Sequence, residues 1–293
     1  TPSGEVARRL LAAEATPLQT LVKKGILTLA EHTPTTEYGA PTFRLPTLTA
    51  HQQEALERLR ADFTAGRSTA LLHGVTGSGK TEVFIRLVRH VLAMGKSAII
   101  LVPEIALTPQ MVSWFRARFG DTAAVLHSRL SAGERFDEWR RIRHGQAKVV
   151  IGARSAVFAQ CPNLGLIILD EEQEYTYKSE NNPRYNAREV ALFRGVKYNA
   201  LVVMGSATPS VETMYRAKRG EYALYTLQKR YNGKALPAVQ IVDMRDELRS
   251  GNDLSYIRSL QDAILDTWQA KKQTILFLNR RGYSTFVSCR QCG

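Results

Sequence analysis

No run of this 293-residue chain approaches the roughly 18 consecutive apolar residues that carry a helix across a bilayer. Its first residues also lack the basic stretch, apolar core and small-residue cleavage pattern of a secretion signal. Together these absences lead to the expectation of a cytoplasmic protein with no membrane partner. The six histidines show no H-E-x-x-H or comparable ligand spacing, and no internal repeat or low-complexity tract is present. Cysteine is scarce. Cys161 stands alone and reads as a small buried hydrophobe, whereas Cys289 and Cys292 form a Cys-x-x-Cys pair, half of a tetrahedral zinc site that only a longer chain would complete. The sequence starts without Met and stops just after that pair, so both ends are expected to lie inside a longer protein. Acidic residues are few beside basic ones, 27 against 40, for a formal charge of +13. This balance suits a polyanionic partner, nucleic acid first, or simply a soluble basic surface.

The length exceeds what one hydrophobic core usually organises, and three stretches are distinguishable. Residues 1–46 read as helix, turn, helix and short strand, the pattern of part of a winged helix or of a small packing module without DNA contact. Residues 47–236 alternate apolar strand-like runs (68–73, 97–102, 123–126, 147–151, 164–169 and 200–205) with helical patterns. Ser131 and Glu134 form a capping box before one of those helices. The alternation predicts an α/β fold, a parallel sheet with helices on both faces and ligands at the strand C-terminal ends. Residues 237–293 read as a connection, a helix over 254–268 and a strand over 274–278 that opens another unit.

Residues 74–81 read Gly-Val-Thr-Gly-Ser-Gly-Lys-Thr, a complete G-x-x-x-x-G-K-T loop between a strand and a helix. A triphosphate needs converging backbone N–H donors, a cation and a hydroxyl on Mg²⁺. Gly74, Thr76, Gly77, Ser78 and Gly79 supply the loop, Lys80 the cation and Thr81 the hydroxyl. The second constellation is Asp170-Glu171-Glu172-Gln173, delivered by the apolar strand 164–169. A carboxylate so placed can hold Mg²⁺ through water, the role assigned to Asp170, and the next acid, Glu171, can orient the attacking water. Beyond it, Tyr175, Tyr177, Lys178, Arg184, Tyr185 and Arg188 interleave aromatic rings with cations. That pattern fits stacked bases and phosphates, or a polar loop with half-packed tyrosines.

These motifs resemble those of superfamily 2 helicases: 74–81 is similar to motif I, 170–173 to motif II, and Gly205-Ser-Ala-Thr208 to motif III. Pro103-Glu-Ile-Ala-Leu-Thr-Pro109, Gly152-Ala-Arg-Ser155, Gly205-Ser-Ala-Thr-Pro209 and Phe277-Leu-Asn-Arg-Arg-Gly282, with the terminal cysteine pair, more closely resemble the primosomal protein N′ (PriA) family of replication-restart helicases. The resemblance implies a RecA-like P-loop lobe, preceded by a partial winged helix and followed by the start of a second lobe. It implies ATP, Mg²⁺ and Zn²⁺ as cofactors, adenine recognition by Gln52, and a coupling role for Thr208. Thr108, Gln110, Arg154 and Ser155 are placed by it along a single-stranded DNA path, and the aromatic segment becomes the loop that links DNA to ATP turnover. The implied activity is 3′ to 5′ DNA unwinding at stalled or abandoned forks in a bacterial, nucleoid-associated protein. The implied partners are forked and single-stranded DNA, single-stranded-DNA-binding protein and primosome loading proteins. A nucleotide-regulated fork-binding scaffold and another superfamily 2 nucleic-acid ATPase are the competing readings. The family usually carries His where this chain has Gln173.

Overall fold

The computed structural model describes residues 46–127, 130–233, 237–249 and 257–277. The expected winged helix, the Asn279-Arg280-Arg281 motif, Cys289 and Cys292 lie outside the described residues. The chain divides into two compact units, Thr1–Lys234 and Ala235–Gly293.

In the first unit the order is α1 (Ala50–Thr64), β1 (Thr69–Gly74), α2 (Lys80–Ala93), β2 (Ser97–Leu101), α3 (Pro109–Phe119), β3 (Ala123–Leu126), α4 (Ala132–Arg143), β4 (Val149–Gly152), β5 (Leu164–Asp170), α5 (Ala187–Tyr198), β6 (Leu201–Ser206), α6 (Val211–Lys218) and β7 (Ala223–Leu227). The strands form one seven-stranded sheet in the order β3-β4-β2-β5-β6-β1-β7. Every pair is parallel. The expected α/β class is therefore observed, with one strand more than the apolar runs indicated. Alternate residues of β2 explain why the sequence lacks polar alternation there. Ala98 and Ile100 pack with α1, α2 and α3 (Leu56, Phe84, Phe115), while Ile99 and Leu101 pack on the opposite face with α4, α5 and α6 (Ile142, Ala191, Ala217). A strand buried on both faces has no solvent side to mark with polar residues.

Ends are set by local chemistry. Thr49 and Gln52 form a capping box at α1, and Ser131 and Glu134 form the one expected at α4. Cys161 packs against the second face of the core, and burial pushes its thiol up to about 12. In the second unit, α7 spans Met244–Arg249 and α8 spans Arg258–Gln269. Residues 274–277, read from sequence as strand, have no regular structure, and Ile275 and Phe277 are exposed. No strand pairs with them among the described residues, and an unpaired strand leaves its N–H and C=O groups to water.

Candidate nucleotide site

The phosphate loop joins the C-terminal end of β1 to the N-terminus of α2, where orphan N–H groups face an anion. Gly77 and Gly79 hold φ of +77° and +81°, which other residues reach only with strain. Gly74 is required for a different reason: a β-carbon there would stand 2.5 Å from Ser78 Oγ. Lys80 is buried, and its Nζ donates to Gly74 O at 3.0 Å and lies 3.5 Å from Glu171 Oε1. Thr76 is exposed, and Thr81 sits in the first turn of α2. Ser78 Oγ is buried without a hydrogen-bond partner. The loop thus offers a preformed donor set, a cation and an orphan hydroxyl, which together fit a nucleoside triphosphate with Mg²⁺.

Gln52, the residue that the resemblance assigns to adenine, is fastened to the phosphate loop. Its Nε2 donates to Ser78 O at 2.8 Å, and its Oε1 accepts from Thr49 N at 2.8 Å. The buried amide braces the loop and is left with one N–H and one lone pair for a ligand.

Opposite the loop, β5 ends at Asp170, and Glu171 turns the chain with φ +49°. Burial, and then the neighbouring Glu171 charge, push the Asp170 carboxyl up to about 6, with Lys80 opposing them. A carboxylate held this way gains from a divalent cation, and Asp170 and Thr81 are the groups that could hold one. The sign of its linkage follows. The ordinary value is 3.8, so between 3.8 and 6 the folded protein binds this proton more tightly than the unfolded chain does. The penalty is absent below 3.8, grows through 6 and is complete above. Asp170→Asn should therefore stabilise the nucleotide-free protein by about 2–3 kcal/mol near pH 8 and change it little near pH 4. Unfolding midpoints of both proteins at the two pH values check this; an equal difference at both would contradict it.

From Glu171 a continuous hydrogen-bonded chain runs to β6. Gln173 Nε2 donates to Glu171 Oε2 at 3.0 Å, Ser206 Oγ donates to Gln173 Oε1 at 2.6 Å, and Thr208 N donates to Ser206 Oγ at 2.9 Å. The amide of Gln173 suits this place because it donates at one end and accepts at the other. A parallel buried cluster joins residues that are far apart in the sequence. Glu172 points away from the loop and receives Arg188 Nη1 at 3.1 Å, Ser210 N at 2.7 Å and Thr213 Oγ1 at 3.0 Å.

The residues assigned to DNA divide into two groups. Arg154 Nη1 donates to Lys178 O at 2.6 Å and its guanidinium lies 5.8 Å from the Tyr185 ring centre; Tyr185 meets Phe158 edge to face at 4.8 Å. The segment containing Arg154 and Ser155 is thus fastened to the aromatic loop, leaving Ser155, Tyr175, Lys178 and Arg184 exposed. Thr108 is exposed and caps α3, where Gln110 lies in the first turn. Two assignments need correction. Tyr177 is 2% exposed, with its hydroxyl set against Asp170 O at 2.7 Å and Leu101 O at 3.1 Å, so its ring has no free face for a base. Arg188 is paired with buried Glu172, which removes its charge from any phosphate.

The chain matches the DEAD/DEAH box helicase family over residues 49–217. It is 47% identical over 298 residues to the replication restart protein PriA of Bacillus subtilis (strain 168), covering 100% of this chain and 37% of that protein. It is 49% identical over 246 residues to the replication restart protein PriA of Treponema pallidum (strain Nichols), covering 84% of this chain and 36% of that one. The chain therefore spans little more than a third of the length of these curated relatives. Among solved structures, that of RecG bound to a three-way DNA junction matches with a TM-score of 0.46 at 21% identity, covering 81% of this chain and 29% of that one.

Proposed function

The chain belongs to the DEAD/DEAH box helicase family, and from that premise we propose that it is the first motor lobe of an ATP-dependent DNA helicase of replication restart. Residues 47–236 are the lobe, 1–46 a winged-helix-like segment, and 237–293 the connection and start of a second lobe. The observation that carries the reading is the chain of contacts Lys80, Glu171, Gln173, Ser206 and Thr208. It connects the phosphate loop with the segment after β6, so a change at one can be felt at the other.

Bound ATP with Mg²⁺ supplies the phosphoanhydride whose cleavage drives the cycle. Lys80 and the loop N–H groups hold the phosphates, Thr81 and Asp170 hold the ion, Glu171 orients water, and Thr208 reports the state of the site. On the DNA side, Thr108, Gln110, Arg154, Ser155, Tyr175, Lys178, Arg184 and Tyr185 line the path of a single strand. Contacts of this kind position a strand without reading its sequence, which suits recognition of fork structure. The relatives' role in replication restart supports a part at replication forks; 3′ to 5′ movement, primosome assembly with its loading proteins and single-stranded-DNA-binding protein, and a cytoplasmic location are the further parts of the proposal, which the family resemblance implies. Among the described residues no helix is long and apolar enough to cross a membrane. A zinc ion on Cys289 and Cys292 belongs to the same proposal.

The test compares ATP hydrolysis by the protein carrying this lobe with no nucleic acid, forked DNA and RNA, alongside single-turnover unwinding of the fork. Forked DNA should stimulate hydrolysis about tenfold or more and strands should separate. Stimulation without strand separation would favour a nucleotide-regulated scaffold, and equal stimulation by RNA would refute the DNA assignment.

A further inference from the structure

The stretch that follows β7 runs across the phosphate loop. Val75 N donates to Leu227 O at 3.2 Å, and Tyr231 N donates to Gly77 O at 3.0 Å, so residues 227–231 are strapped to the loop at two points. Between those points stands Arg230. Gly77 has no side chain, and Arg230 Cγ and Cδ lie 3.8 and 4.0 Å from where its β-carbon would be. The arginine stem therefore lies along the loop backbone. Arg230 Nε is buried and has no hydrogen-bond partner, and Arg230 makes no ion pair among the described residues.

A guanidinium does not shed its proton, so a buried N–H without an acceptor is an uncompensated loss of hydration. Such a group is accounted for when an acceptor arrives with a ligand. The acceptor this loop is built for is phosphate, and the orphan Ser78 Oγ belongs to the same loop. Charge balance points the same way. A triphosphate carries more negative charge than Mg²⁺ and Lys80 offset together, and Lys80 is already shared with Glu171. A second cation beside the loop would complete the neutralisation, and a guanidinium suits phosphate geometry.

We propose that Arg230 is a phosphate-binding residue of the nucleotide site, supplied by the same lobe as the loop and donating to the phosphate oxygens of ATP or ADP. The proposal rests on the nucleotide reading of residues 74–81. It explains why the strap is pinned on both sides of Arg230, at Leu227 and at Tyr231: the pins set where the guanidinium can reach.

The experiment measures displacement of a fluorescent ADP by Mg²⁺-ATP and by Mg²⁺-tripolyphosphate, in the wild type and in R230Q, R230K and K80A, with thermal melting as a check of folding. Gln keeps the atoms out to Cδ that lie over Gly77 without the charge, and Lys preserves the charge. R230Q should weaken ATP and tripolyphosphate alike, each by about tenfold, while R230K weakens them by less than about threefold. Unchanged affinity in R230Q would overturn the proposal. So would a loss for ATP alone, which would place Arg230 on the base or ribose, or an equal loss in R230Q and R230K, which would make its role packing. K80A separates the two levels: wild-type ATP affinity in that variant would overturn the nucleotide reading itself, whereas weak binding in K80A with normal binding in R230Q would remove only Arg230.

Discussion

Replacing Lys80 by alanine should reduce ATP turnover by about a thousandfold or more while DNA affinity stays within about twofold. The lysine is 7% exposed, with its Nζ between Gly74 O and Glu171 Oε1. Its removal takes the cation from the phosphates and leaves Glu171 without its counter-charge, so both binding and water orientation suffer. The proposed DNA contacts lie elsewhere. Arg154 and Tyr185 follow β4 and β5, and β1, which carries the phosphate loop, is separated from β4 by β2, β5 and β6. Steady-state phosphate release and fluorescence anisotropy with a labelled fork, on the same preparation, check the separation. Parallel collapse of both in a protein that melts normally would mean that the two sites are one.

What the sequence disclosed and what it hid follow from the range of the forces involved. The strand, loop and helix around residues 74–81 and the strand that ends at Asp170 were legible because each is built from contiguous residues. The capping box at Ser131 was legible for the same reason: its two partners are three residues apart. β7 escaped notice because it is a short edge strand whose burial alternates, with no run of apolar residues to announce it. The two tyrosines at 175 and 177 read identically in sequence. Tyr175 is 76% exposed and Tyr177 2% exposed, and the difference is made by the Tyr177 hydroxyl meeting Leu101 O, 76 residues away in the chain.

Partnership across the fold hid the rest. Gln52 carries an amide that a ligand could use, yet the loop uses both of its ends first. Arg188 looked like one more cation in an aromatic segment, but α5 turns it toward Glu172. The available signal was the second carboxylate after Asp170: if Asp170 and Glu171 serve the nucleotide, a third acid beside them needs its own partner. Gln173 shows the opposite case, in which an apparent departure from the family pattern is accommodated because an amide can donate and accept at once.

The largest loss of stability should come from Glu172→Ala, at about 3–5 kcal/mol. The Glu172 side chain is fully buried, and its two oxygens accept from Arg188, from the Ser210 backbone N–H and from Thr213 Oγ1. Alanine removes every one of these acceptors at once. Arg188, whose side chain is only 20% exposed, would keep its charge with only the exposed Glu189, 3.6 Å from its Nε, as counter-ion, and the Ser210 N–H at the start of α6 would lose its partner. Breaking one side of a buried pair is far more damaging than replacing both. A second substitution therefore separates the causes. Glu172→Met with Arg188→Leu should recover at least half of the loss, because no unpaired charge remains. Urea denaturation of the single and double variants measures both values. A single-variant loss below about 1 kcal/mol would mean that water already reaches Arg188, and failure of the double variant to recover would place the energy in packing. The position of the cluster gives the measurement a functional reading as well. Glu172 follows Glu171 directly, and Ser210 stands two residues after Thr208, so the buried pair fixes both ends of the hydrogen-bonded chain through Gln173. If that chain transmits the nucleotide state, a folded Glu172 variant should retain ATP affinity and lose stimulation by DNA.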